Sequence, residues 1–109
     1  MKTRREVIDY AMRKIGVLAE DEALTASQLT QAEEVLEALY GEIEAEAAPG
    51  WTIDTVPQSA FIPLGNLLAV DLAPAFNRPP VASRGMAWVR ALAQIRPYVA
   101  DPDAEQAYY

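Results

Sequence analysis

Two short strings constrain this chain more than anything else in it: Thr3-Arg4-Arg5-Glu6 and Thr25-Ala26-Ser27-Gln28. Each has the form of a capping box. A Thr hydroxyl accepts from a backbone N–H in the first turn of a new helix, and a Glu or Gln side chain accepts from the Thr backbone in return. Behind each string runs an apolar pattern at helical spacing. Val7, Ile8, Ala11, Met12 and Ile15 share one stripe; Leu29, Ala32, Val35, Leu36, Leu39, Tyr40 and Ile43 share another. The spacing predicts a helix from Thr3 to Ile15 and a longer one from Ala26 to Ala47. Gly16 is placed to end the first in left-handed geometry, and Pro49-Gly50 ends the second. Val17 and Leu18 tuck under the pair, and Leu24 before the second cap suits a hydrophobic staple with Leu29. Gly41 marks either a close helix crossing or a fraying point.

The stretch from Trp51 to Pro57 is rich in β-formers and reads as an extended arm or a short strand, which needs a partner segment or a neighbouring subunit. A third helix is predicted between Gln58 and Phe76, with Leu64, Leu67, Leu68, Leu72 and Ala75 on its stripe. Pro63 suits a first turn or a kink, and Pro74 with the run from Asn77 to Pro80 terminates the helix. With only Asn66 and Asp71 strongly polar, this helix must be central in the core or covered by another chain. A fourth helix is predicted from the Ser83 cap to Arg96, with Trp88, Val89, Leu92 and Ile95 on one face, and Pro97 stops it. The reading is an all-α fold. It comprises a small four-helix domain over residues 1–97, the arm or strand between helices 2 and 3, and an extended tail over residues 98–109.

At 109 residues and 51% hydrophobic content the chain suits one folded domain with a modest core. No apolar run reaches the roughly 20 residues of a membrane span. The basic N-terminus is not followed by the apolar stretch of a signal peptide, so synthesis in the cytoplasm is the expectation. There is no Cys and no His, which removes thiolate chemistry, the commonest general base and the usual zinc ligand. The paired carboxylates Glu33/Glu37 and Glu42/Glu46 fall on the outward side of helix 2, and Ser27 and Ser83 are explained as caps. The five glycines stand singly and form no phosphate loop, and the acids lack calcium-loop spacing. No enzyme activity, metal or cofactor is expected.

The net charge of −7 is unevenly spread. Lys2, Arg4, Arg5, Arg13 and Lys14 occupy the first helix region. Eleven acids and no base lie between Ile15 and Asn77; Arg78, Arg84, Arg90 and Arg96 follow. This separation fits either basic neighbours held against an acidic helix inside one chain, or opposite charges meeting between subunits. A DNA-reading helix pair is a poor fit, because the candidate reading helix carries no base to displace counterions.

The segment Arg5 to Leu18, the acidic loop, and Thr25-Ala26-Ser27-Gln28 with Ala32, Leu36 and Leu39 resemble the N-terminal half of tailed-phage head–tail adaptor proteins. That family includes the head-completion or tail accessory factors of short-tailed phages and the connectors of long-tailed phages and gene transfer agents. Phe61 to Phe76 resembles the family's third helix, with its Pro-containing entry and Leu-Ala-rich run. The likeness spans Thr3 to about Arg96. Family members often carry an Asn and a Trp late in helix 2, where this chain has Tyr40, Gly41 and Ile43.

The resemblance implies a structural virion protein of the head–tail neck, made in the host bacterial cytoplasm. It would form a homo-oligomeric, typically dodecameric, ring under the portal protein. That ring extends the channel for double-stranded DNA without sequence-specific binding and without a membrane, and docks a tail-side connector or stopper. Expected portal contacts are Tyr98, Val99, Tyr108 and Tyr109. Expected inter-subunit residues are Arg4, Arg5, Arg13, Trp51, Ile53, Arg84 and Arg90, with helix 3 covered by a neighbour in the ring. Glu33, Glu37 and Glu44 are the expected channel-facing acids. The alternative is a small acidic helical protein of the bacterial cytoplasm that binds or regulates one protein partner.

Overall fold

A computed structural model describes residues 1–19 and 21–95. Among them the chain forms four helices: α1 (Arg4–Lys14), α2 (Ala26–Ala47), α3 (Gln58–Ala75) and α4 (Arg84–Ile95). Both capping boxes form. The Thr3 hydroxyl accepts from Glu6 N at 3.3 Å while Glu6 Oε1 accepts from Thr3 N at 3.2 Å. Thr25 and Gln28 repeat the exchange at 3.1 and 3.0 Å.

Helix ends are equally local in origin. Past α1, Gly16 takes φ +81°. Its N–H reaches the Arg13 carbonyl at 3.1 Å, and the Val17 N–H reaches the Met12 carbonyl at 3.0 Å. This is the doubly bonded Schellman ending, which satisfies two orphan carbonyls. Asn77 does the same after α3: at φ +56° it lets Arg78 N–H reach the Ala73 carbonyl at 2.8 Å. Pro74 therefore lies inside the last turn of α3 and does not end it, while Pro63 lies in the helix interior rather than its first turn. Each proline removes one N–H from the ladder, leaving the Ser59 and Val70 carbonyls without their i+4 donor.

α3 is the centre of the fold. Its buried set is Ala60, Pro63, Leu64, Gly65, Leu67, Leu68, Ala69, Leu72 and Ala73, and it packs against α1, α2 and α4 of the same chain. The apolar excess anticipated for a neighbouring subunit is thus covered within the chain. Val7, Ile8, Ala11 and Met12 from α1 and Ala32, Leu36, Leu39 and Ile43 from α2 complete the core. Fully burying one such Leu or Ile is worth about 1.5–3 kcal/mol.

The arm between α2 and α3 forms no sheet among the described residues. Val56 makes a single antiparallel bridge to Lys2, with reciprocal backbone bonds of 2.7 and 2.9 Å. The arm's partner is therefore the chain's own N-terminus. α4 differs from its expected face. Ala91 and Ile95 are buried, with Trp88 half-buried beside them, but Val89 is 68% exposed. Val89 lies one residue, or 100° of helical turn, from Trp88, which places it off the core-facing stripe.

Candidate functional site

Two guanidinium clusters tie the helices together at the surface. Arg4, in the first turn of α1, holds Asp54 of the arm in a fork: Nε to Oδ1 at 2.7 Å and Nη2 to Oδ2 at 2.8 Å. Its Nη1 reaches Glu37 at 3.1 Å and Glu33 at 3.6 Å on α2. The hydrogen bonds with Asp54, followed by the attraction of the three carboxylates, raise the Arg4 pKa still further and hold the Asp54 carboxyl below its usual range. Glu6 is also lowered, first by the hydrogen bond from the Thr3 backbone.

Arg84 opens α4 and forms the second cluster. Nε meets Asp71 of α3 at 2.7 Å, Nη2 meets Glu42 of α2 at 3.3 Å, and the guanidinium carbon lies 4.9 Å from the Trp88 ring centre. Burial opposes its charge, but the Asp71 and Glu42 contacts outweigh that and raise its pKa. The basic-to-acidic separation seen along the sequence is thus closed inside one chain at Arg4 and Arg84.

The other expected residues fall as follows. Arg5 pairs with Asp9 along α1 at 3.7 Å. Arg13 donates to the carbonyls of Ala19 and Glu22 and so closes the α1–α2 loop. Trp51 is half-buried. Its carbonyl accepts the Tyr40 hydroxyl, and the two rings lie 5.8 Å apart. Burial, then the nearby Glu44 carboxylate, raises the Tyr40 pKa. Ile53 is half-buried against the core. Arg90 is exposed with no ion-pair partner among the described residues. Glu33, Glu37 and Glu44 lie on one stripe of α2, the first two beside Arg4 and Glu44 exposed. Tyr98, Val99, Tyr108 and Tyr109 lie outside the described residues.

Among the described residues no polar or charged side chain is buried and no cluster of three potential metal ligands occurs. Among the described residues no helix is long and apolar enough to cross a membrane. One feature of the surface was missed from the sequence: a groove of about 410 Å³ between α3 and α4, walled by Leu67, Val70, Val81 and Met86, with Lys14 and Arg90 also lining it. Met86 and Val89 are 61% and 68% exposed. Their offset from the Trp88–Ala91–Ile95 stripe was the available signal. The chain matches no protein-family model, no curated protein and no solved structure.

Proposed function

We propose that the chain is a structural adaptor subunit of a tailed-phage or gene-transfer-agent neck, forming a ring beneath the portal that continues the DNA channel and receives the tail. The observation that carries this reading is the division of its surface. α2 presents Glu34 and Glu44 on one side, both exposed and neither in an ion pair among the described residues. α4 presents exposed Met86, Val89 and Arg90. Two unlike surfaces on one small rigid body suit the heterologous contacts that close rings. Acids repeated around a lumen repel the DNA phosphates, so the duplex passes without sticking.

The resemblance of Thr3 to Arg96 to the adaptor family supplies the rest: portal on one side, a connector or stopper on the other, location in the virion neck. The all-helical fold agrees with that likeness without being specific to it. The alternative, a small helical partner-binding protein, draws on the same exposed α4 residues.

Electron microscopy of the chain co-expressed with the portal protein encoded near it separates the two. The adaptor reading expects added ring density beneath the portal, and a gene lying between portal or capsid genes and tail genes. A bare portal, together with a chain that forms no ring alone, overturns it in favour of the alternative.

A further inference from the structure

We propose that the outer ridge of α4 in one copy of the chain docks into the recess between α2 and α3 of a second copy. Met86, Val89, Arg90 and Ala93 follow one another at i, i+3, i+4 and i+7, which puts them on one stripe of α4. All four are exposed, Met86 by 61% and Val89 by 68%. Arg90 is the charge on this stripe, and it has no acidic partner among the described residues. The stripe therefore asks for a surface that covers apolar side chains and supplies a carboxylate.

The chain carries such a surface elsewhere. A shallow recess of about 460 Å³ lies between α2 and α3, lined by Glu34, Val35, Ala38, Leu39 and Glu42 from α2 and by Asp71 and Pro74 from α3. Arg84 also lines it, so three carboxylates there stand against one guanidinium. Arg84 holds Asp71 at 2.7 Å but meets Glu42 through Oε2 alone, at 3.3 Å, and the Glu42 side chain is 57% exposed. Glu34 is exposed and in no ion pair among the described residues. The recess has an acid to spare where the stripe has a cation to spare, and both have apolar surface beside the charge.

Dimensions agree as well. Met86 to Ala93 covers about 10.5 Å of α4, and Glu34 to Glu42 about 12 Å of α2, at the standard rise. With Arg90 set opposite Ala38, Glu34 and Glu42 stand about one turn to either side, roughly 6 Å along α2. One guanidinium fork then lies between two carboxylates, while Met86 and Val89 cover Val35 and Pro74 and remove apolar area from water. Glu33, Glu37 and Glu44 occupy another stripe of α2 and stay outside the contact, free to face a lumen. The contact gives the proposed ring its subunit junction and rests on the adaptor reading for that setting; the two faces and their charges do not depend on it.

Sedimentation velocity of the full chain, carried through the millimolar range, tests the docking. Self-association that grows with concentration is expected. Arg90→Glu and Glu34→Arg should each weaken it by about tenfold or more, with amide NMR spectra that retain the fold. An equimolar mixture of the two variants should recover the association of the parent, because each exchanged charge finds its opposite on the other chain. The parent carries a net charge of −7 and both variants stay net negative, so overall attraction does not mimic that recovery. The chain has no cysteine, so mixing Ala38→Cys with Ala93→Cys places one thiol on each face, and a short bifunctional maleimide should join unlike copies. A chain that stays monomeric, variants that associate like the parent, a mixture that fails to recover, or crosslinks only between like copies each overturn the docking. Added ring density beneath the portal remains the separate test of the adaptor reading. A bare portal with the docking intact removes that reading and keeps this contact.

Discussion

The ring of Tyr10 lies directly over Gly65. A β-carbon at position 65 would stand 2.8 Å from Tyr10 Cε1 and closer still to Cδ1. The ring is held there by its hydroxyl, which donates to Asn66 Oδ1 at 2.7 Å, and by the Phe61 ring with centres 5.4 Å apart. This contact sets how closely α1 approaches α3. Gly65→Ala should lower stability by about 1–2 kcal/mol, because overpacking outweighs the gain in helix propensity. In a Tyr10→Ala background the same change should turn favourable, by up to about 1 kcal/mol. Urea unfolding of the four proteins in this cycle checks both signs.

Gly41 is the converse. It lies on the exposed side of α2, and nothing stands within 4 Å of a β-carbon built there. It marks neither a helix crossing nor a break, since α2 runs through it to Ala47. Gly41→Ala should therefore raise the unfolding free energy by about 0.5–1 kcal/mol. An unchanged urea midpoint would show that the position contributes nothing through backbone entropy.

The fork between Arg4 and Asp54 makes part of the stability depend on pH. Asp54 has an ordinary pKa of 3.8 and is held below it in the fold. Its pairing thus stabilises the chain above about pH 4 and is lost as pH falls through the lowered value. Glu6, lowered by the Thr3 backbone, acts in the same direction. With Asp54 53% exposed, the fork is screened, and Asp54→Asn should cost only about 0.5–1 kcal/mol at pH 7. The same variant should lose less stability than the parent between pH 5 and pH 3, as read from thermal midpoints. Parallel acid limbs for the two proteins would show that Asp54 is not a source of the loss.

The helix ends were legible because their causes are local. Thr3, Glu6, Gly16, Thr25 and Gln28 each act within one turn of the chain, and the structure places the helix ends within one residue of the sequence expectation, save the expected end of α4 at Arg96 and Pro97, which lies outside the described residues. What escaped was set by residues far apart in sequence. The partner of Gly65 is Tyr10, and the partners of Arg84 are Asp71 and Glu42, 13 and 42 positions away. Helical spacing ranks faces by hydrophobicity but does not say which neighbour covers them. Val89 therefore joined the apolar stripe on paper and faces outward in the fold. The α3–α4 groove, walled by two helices and their loop, has no counterpart in any single window of sequence.

Arg84 fixes how α4 sits on the rest of the chain, because one guanidinium spans α2, α3 and the Trp88 ring. Arg84→Met keeps the aliphatic stem but leaves Asp71, 21% exposed, without its cation. The expected cost is about 1–2 kcal/mol. It should appear first in α4, as faster amide hydrogen exchange at Ala91 and Ile95 than in α1 and α2. Uniform acceleration across all four helices would instead mean that the cluster contributes only to global stability.

The outer face of α4 separates assembly from folding. Val89 is 68% exposed and does not line the α3–α4 groove, so Val89→Glu should change stability by no more than about 0.5 kcal/mol. In the adaptor reading the same face meets a neighbouring subunit, and burying a carboxylate there in place of an apolar side chain is expensive. The variant should then fold normally and fail to add a ring beneath the portal, as judged by electron microscopy of the co-expressed complex. A complete ring formed by Val89→Glu would remove this face of α4 from the subunit contact and leave the exposed α2 acids Glu34 and Glu44 as the surface to examine next.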